Sequence, residues 1–290
     1  MKKEFSVFGF KFKVDKLLTT LAIAAGLLII LLLVDMYLTD ISWYGVIIGT
    51  GFVIALWLAT QLAKERDLPS ELPYDLILWI FPFAIVFARL YYVLFSLDEF
   101  TNFWDVFKVW EGGMAIYGGI IGGVIGLVIC ALIKKKNIVS CMDMAAPCLI
   151  IAQAIGRWGN FINKEVYGFQ VTSKAWQWFP FAVEVGGKYY LATFFYESIL
   201  NLAGFFILTI ILRKSKLKGI VASSYLIYYG VVRFFLEGLR IPKYILYIPG
   251  TTFPVSQAVS LAIILGGVVW LSIILIRHRL KQNNEKGKII

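Results

Sequence analysis

The run Gly118-Gly119-Ile120-Ile121-Gly122-Gly123-Val124-Ile125-Gly126-Leu127-Val128-Ile129-Cys130-Ala131-Leu132-Ile133 is apolar on every face and stops at Lys134-Lys135-Lys136. A helix on the surface of a soluble protein carries an apolar stripe and a polar back, whereas one that is apolar all round belongs to a deep core or to lipid. The run approaches the roughly 20 residues that cross a bilayer, and a lysine cluster at one end is the mark of a cytoplasmic boundary. Similar runs lie at 17–38, 42–63, 74–97, 139–158, 191–212, 219–238 and 256–276, with the first run occupying 114–133. Backbone polar groups have no water to bond in lipid, so runs of this length must satisfy them as helices. The expected fold class is an all-α polytopic integral membrane protein, a seven-span core plus one extra N-terminal span.

Composition agrees: 60% of the 290 residues are hydrophobic and 16% charged. The formal net charge of +10 could suggest nucleic acid, but its placement excludes that class. The basic residues sit between spans, and alternate ends collect them: Lys64 and Arg66, Lys134 to Lys136, Arg213 to Lys218, Arg277 and Arg279, together with Lys2, Lys3, Lys11, Lys13 and Lys16. That side reads as cytoplasmic, with both termini inside and the charges acting as orientation signals and contacts to membrane lipid. The chain divides into a basic N-terminus and extra anchor (1–41), a core (42–276) and a basic cytoplasmic tail (277–290). No cleavable signal peptide is evident. Cys130, Cys141 and Cys148 lie within spans or at the cytoplasmic edge, in no metal-ligand spacing, and read as packing. Pro82 should kink its span, and the aromatic stretch 170–190 has the composition of an element at headgroup level.

Three polar clusters fall at the opposite ends of the spans. Gly156-Arg157-Trp158-Gly159-Asn160-Phe161-Ile162-Asn163-Lys164-Glu165-Val166-Tyr167-Gly168 is set directly onto an apolar run. An ionisable side chain within a span costs at least about 2.5–3.5 kcal/mol and usually binds or pairs with something. A helix that persists through Asn160 puts Arg157 and Asn160 on one face. Arg233, Glu237 and Arg240, at offsets of four and seven, share a second helical face. Trp110-Glu111-Gly112-Gly113-Met114 leads into the glycine-rich run that holds Tyr117 and Gly118. An intrahelical ion pair would account for Arg233 and Glu237, and Gly118, Gly122 and Gly126 form a small-residue row that by itself suggests close helix packing. Three arginines facing Glu165, Glu237 and Glu111 leave an electropositive site, and the planar guanidinium fork matches phosphate oxygens.

The first cluster resembles the G-R-x-G-N-F-x-N-x-E signature of the bacterial prolipoprotein diacylglyceryl transferases. Trp43-Tyr44-Gly45, Ala88-Arg89-Leu90-Tyr91, Trp110-Glu111-Gly112-Gly113, Tyr196-Glu197 and Arg233-Phe234 with Glu237 and Arg240 follow in that family's order, over about residues 42 to 276. The resemblance implies transfer of the diacylglyceryl group of phosphatidylglycerol to the thiol of the lipobox cysteine in the signal peptide of a preprolipoprotein, forming a thioether and releasing glycerol phosphate. It implies catalytic roles for Arg157, Arg233, Glu237 and Glu165, and substrate-binding roles for Tyr44, Gly112, Gly118, Asn160, Gly168 and Arg240; Tyr117 is read from its own chemistry as a catalytic hydrogen-bond donor, since a phenol is protonated at neutral pH, or as a ring that fills space. It further implies a bacterial cytoplasmic membrane and an active site toward the outer leaflet; with no outer-side cluster of Asp, Glu, His or Cys in ligand spacing, no metal or cofactor is expected. The chain departs from the family pattern at Tyr117, where histidine is common, and before Tyr196, where a His-Pro pair is common.

The sole histidine, His278, lies in the basic tail, so no imidazole can serve the polar end of the spans. That excludes a Ser/His or Cys/His hydrolase there. The expected division of labour places Arg157 and Arg233 on a phosphate, Asn160 as a donor to headgroup oxygens, and Glu165 and Glu237 orienting the arginines, with one of them taking the thiol proton. A transporter or flippase of an anionic amphiphile is the competing reading. Such proteins often show internal repeats and polar breaks near the bilayer midplane, whereas here the polar residues gather at span ends.

Overall fold

The computed structural model describes residues 4–7, 10–13, 43–100, 102–109 and 112–287. Helices α1 (Trp43–Leu62), α2 (Leu72–Phe95), α3 (Ile116–Ile133), α4 (Ile138–Ile162), α5 (Thr193–Lys214), α6 (Ile220–Glu237) and α7 (Val255–Gly287) carry the seven spans of the core. Each is long and apolar enough to cross a bilayer. The protein is thus a polytopic helical membrane protein, as its apolar runs require. The extra span expected at 17–38 and the residue Glu111 lie outside the described residues. In the amino-terminal unit, β1 (Glu4–Val7) pairs antiparallel with β2 (Phe10–Lys13).

The helices of the core pack as neighbours in sequence: α2 on α3, α4 on α5, and α6 on α7. The glycine row of α3 explains the first of these contacts. A Cβ added at Gly118, Gly122 or Gly126 would stand 2.2, 2.2 or 2.7 Å from the backbone oxygen of Phe87, Phe83 or Trp79. Without side chains there, the two backbones approach directly, as small-residue rows allow in lipid. Helix α2 continues through Pro82.

Two buried polar nodes fix the connections. At the Lys134 end, Arg66 Nε lies 3.0 Å from Asp143 Oδ2, with both side chains at most 2% exposed. Asp143 also accepts from the backbone N–H groups of Gly219, Val221 and Ala222. A carboxylate on α4 therefore caps the start of α6, where unpaired N–H groups and the helix dipole favour negative charge. At the other end, buried Arg89 on α2 donates to the carbonyls of Asp105, Val106, Gly112 and Gly113, and its guanidinium sits 5.1 Å from the Phe100 ring centroid. One side chain staples the long connection between α2 and α3.

Between α4 and α5, β3 (Ala182–Val185) and β4 (Lys188–Leu191) form an antiparallel hairpin. Its aromatic flank, Trp176, Trp178, Phe179 and Phe181, is exposed. The basic tail is not a separate element at its start, because α7 continues as helix through Arg277 and Arg279 to Gly287.

Candidate functional site

Helix α4 begins with Asn137, whose side chain accepts from Ser140 N and caps the first turn. It stays helical through Ile162, so Arg157 and Asn160 do share a face, and Arg157 Nη1 donates to Asn160 Oδ1 at 3.3 Å. Past the helix, Lys164 and Val166 take left-handed φ values of 51° and 55°. A β-branched residue rarely tolerates that region, and such positions concentrate at functional sites. The turn is held by Glu165 N bonding Asn160 O and by Thr193 Oγ1 donating to Val166 O.

The three arginines converge on a carboxylate that the sequence reading did not single out for this role. Glu197, in the second turn of α5, has Oε1 2.7 Å from Arg157 Nη2. Its Oε2 lies 3.4 Å from Arg240 Nη2 and 3.7 Å from Arg233 Nη1. Glu237 Oε2 is 2.8 Å from Arg233 Nη2 and 3.3 Å from Arg240 Nη1. The expectation for Glu237 as an arginine partner matches this geometry. Glu165 differs: its described partners are the carboxamides of Asn160, at 3.1 Å, and Asn163, at 3.4 Å. It lies beyond the end of α4, and the turn directs it back onto Asn160 instead of across to α6. Glu197 carried a usable signal, being the one acidic residue within its apolar run.

The layering of charge decides what the cluster can do. The carboxylates lie behind, Glu197 at 2% and Glu237 at 1% exposure, while Arg157 at 23% and Arg233 at 17% stand in front. Arg240, at 8%, lies between. Its burial, reinforced by the charge of Arg233, pushes its guanidinium down to about 10, so it stays charged at neutral pH. Three guanidiniums against two carboxylates leave one positive charge within this group. Arg233 Nη1 and Arg240 Nε are buried without a hydrogen-bond partner, as are Glu197 Oε1 and Glu237 Oε2, so the cluster is held by charge more than by aligned hydrogen bonds. Its more exposed guanidiniums, Arg157 and Arg233, are the ones that can take an anion with several acceptor oxygens.

The remaining expected residues have distinct surroundings. Gly168 bridges Arg240 antiparallel, and an added Cβ would stand 2.6 Å from Leu239 O. Its missing side chain lets the strand approach that holds Arg240. Tyr44 opens α1 with its ring against Gly159, where an added Cβ would meet the ring at 2.6 Å. Gly112, at φ 91°, gives its carbonyl to Arg89, and Gly118 serves the α2–α3 contact. Tyr117 is half-buried with its ring 6.3 Å from that of Tyr91. Among the described residues, no hydrogen bond joins Tyr117 to the arginines.

On the other side of the α4–α5 seam, Trp158 Nε1 donates to Ser198 Oγ, which in turn donates to Ala154 O. Beside them runs an apolar groove of about 310 Å³ lined by Ile47, Thr50, Ile151, Ile155, Trp158 and Leu202. Its hydroxyls are satisfied by backbone carbonyls, so it suits alkyl chains.

A sequence-family profile described as prolipoprotein diacylglyceryl transferase matches residues 31–273. The chain is 43% identical over 249 residues to phosphatidylglycerol--prolipoprotein diacylglyceryl transferase 1 of Clostridium perfringens (strain 13 / Type A), covering 84% of this chain and 94% of that one. It is 43% identical over 265 residues to the similarly named protein of Listeria monocytogenes (strain EGD-e), covering 87% and 92%. To that of Geobacillus kaustophilus it is 42% identical over 239 residues, covering 80% and 87%.

Proposed function

The chain belongs to the prolipoprotein diacylglyceryl transferase family, and from that premise we propose that its arginine cluster binds the phosphate of phosphatidylglycerol while a lipobox cysteine attacks the adjoining carbon. A C–S bond forms, the C–O bond to phosphate breaks, and glycerol phosphate leaves with the electron pair. The enzyme is a transferase of lipoprotein maturation. The observation that carries the reading is the layering: Arg157 and Arg233 in front, bound to the two oxygens of one buried carboxylate.

Magnitudes place the effort on the leaving group. Holding a thiol of pKa about 8.5 as thiolate at neutral pH costs roughly 2 kcal/mol. A donor well placed on developing charge is worth about 3–4 kcal/mol, and this site offers at least two guanidiniums. Asn160 is held between Arg157 and Glu165, where it can follow the headgroup. Glu237 is engaged by two guanidiniums, whereas Glu165 receives only neutral carboxamide donors. The role of proton acceptor is therefore assigned to Glu165. Tyr117 supplies a phenol donor in place of imidazole. The reading calls on no metal or cofactor.

In the membrane, the Arg66 and Lys134 ends of the spans face the cytoplasm with both termini, and the arginine cluster opens toward the outer leaflet. Impermeant thiol labelling of single cysteines introduced at residues 2 and 187 tests this, with only the second expected to react from outside. The chemical test is a purified assay with phosphatidylglycerol and a lipobox peptide. Arg157→Ala and Arg233→Ala should each lower kcat/KM at least about 100-fold, two to three hydrogen bonds to a charged group being lost. Normal turnover in either sinks the clamp. Tyr117→Phe should lower kcat about tenfold, and full activity would leave that tyrosine a packing role.

A further inference from the structure

One turn beneath the arginines lies a second polar layer that the phosphate does not need. Gln153 precedes Arg157 by four residues on α4, and Asn201 follows Glu197 by four on α5. The site sits at the end of α4 and the start of α5, so both offsets lead the same way, about 6 Å deeper into the bilayer. Gln153 Nε2 donates to Tyr225 Oη on α6 at 3.1 Å, and its Oε1 is buried with no partner. Asn201 is 0% exposed, and neither its Nδ2 nor its Oδ1 has a hydrogen-bond partner. Buried polar atoms are nearly always paired, and the exceptions ask for an explanation.

The polarity of these atoms selects their ligand. Carbonyl and ester oxygens of a diacylglyceryl group only accept, and would leave Asn201 Oδ1 and Gln153 Oε1 as they are. A peptide backbone carries both N–H and C=O, and an extended one in lipid must find partners for them. We propose that Asn201 and Gln153 bind the backbone of the acceptor peptide just before its cysteine. This rests on the transferase reading above. With the cysteine at the arginine layer and about 3.3 Å per extended residue, the bound segment lies about two residues toward the peptide's amino terminus. Helix α6 is tied to α5 at this depth by Tyr228 Oη donating to Leu200 O, and the peptide enters where that seam parts.

The test uses the full-length enzyme with phosphatidylglycerol micelles and a lipobox peptide, varying each substrate in turn. Asn201→Leu and Gln153→Met keep size and remove the free polar atoms. Each should raise KM for the peptide roughly 5- to 30-fold and leave KM for phosphatidylglycerol and kcat within about twofold; Asn201→Leu should leave Tm unchanged or higher, while Gln153→Met, which also takes the donor from Tyr225 Oη, should lower it. Peptides with a single backbone amide replaced by an ester near the cysteine should lose a like factor with wild type. The sensitive one should lose nothing more with Asn201→Leu, since coupled partners are not additive. A rise in KM for phosphatidylglycerol instead would assign the layer to the lipid and overturn the proposal. So would unchanged KM for both substrates, the outcome for a layer that only holds internal water. If Asn201→Leu does not fold, Gln153→Met and the ester series decide, and no ester position costing more than twofold refutes it. Failure of wild type to release glycerol phosphate would instead refute the transferase reading.

Discussion

Glu197 shows how one side chain can organise a site while staying almost out of sight. It is 2% exposed and touches all three arginines, so its charge sets where the guanidiniums stand and its burial keeps it from competing at the surface. Removing one partner from a buried ionic group typically costs about 3–5 kcal/mol, because the others keep their desolvation penalty. Glu197→Gln should therefore lower the unfolding midpoint in detergent and reduce kcat/KM for phosphatidylglycerol at least about 30-fold. A variant with wild-type thermal unfolding and turnover would show that the arginines hold their places without it. Arg157, Asn160, Arg233, Glu237 and Arg240 were legible because charge inside an apolar run is conspicuous. The Arg233–Glu237 pair was legible from its i, i+4 spacing, but the role of Glu197 was not, since a pairing across helices depends on which faces meet.

At the scale of elements, the α2–α3 pair and the α4–α6 junction were legible to different degrees. The glycine spacing of α3 announced a close contact, and its partner, the Trp79 to Phe87 face of α2, came from the fold. Gly122→Val would drive a Cβ to within 2.2 Å of Phe83 O, a backbone atom with no rotamer to yield. The variant should lose about 1–3 kcal/mol or more of stability, read as a lower unfolding midpoint and a smaller folded fraction in detergent. An unchanged midpoint would mean the helices can separate freely there. Asp143 drew no notice in sequence, yet it joins Arg66 and caps α6. Its role needs three chain segments brought together from 66, 143 and 219–222. The β3–β4 hairpin was likewise read only as an aromatic loop, because its four-residue strands are too short to show a period.

For the whole molecule, the seven described spans belong to one compact unit that begins at Tyr44. The family profile begins at residue 31, beyond most of the apolar run 17–38. Only residues 31–41 of the profile precede the seven described spans, so a chain starting at residue 42 should insert and retain transferase activity within about twofold in the purified assay. Loss of activity with normal insertion would give the first segment a part in catalysis. Helix α7, at 33 residues, is about 50 Å long by the rise of an α-helix against a hydrocarbon core of about 30 Å. Its last turns, with Arg277, Arg279 and Lys281, extend past the apolar run, which accounts for a tail that is both basic and helical.

That this chain crosses the membrane repeatedly, which end of each span is basic, and which arginines stand at the other end are all legible in its linear order. These follow from composition along a single run, where the cost of charge or exposed backbone in lipid is local. Tertiary packing alone shows that Glu197 gathers the arginines, that Glu165 faces carboxamides, that the Tyr117 ring neighbours that of Tyr91, and that Asn201 and Gln153 keep buried atoms unpaired. Each depends on the rotation and depth of one helix against another. Those are set by packing across the whole bundle, and no single run encodes them.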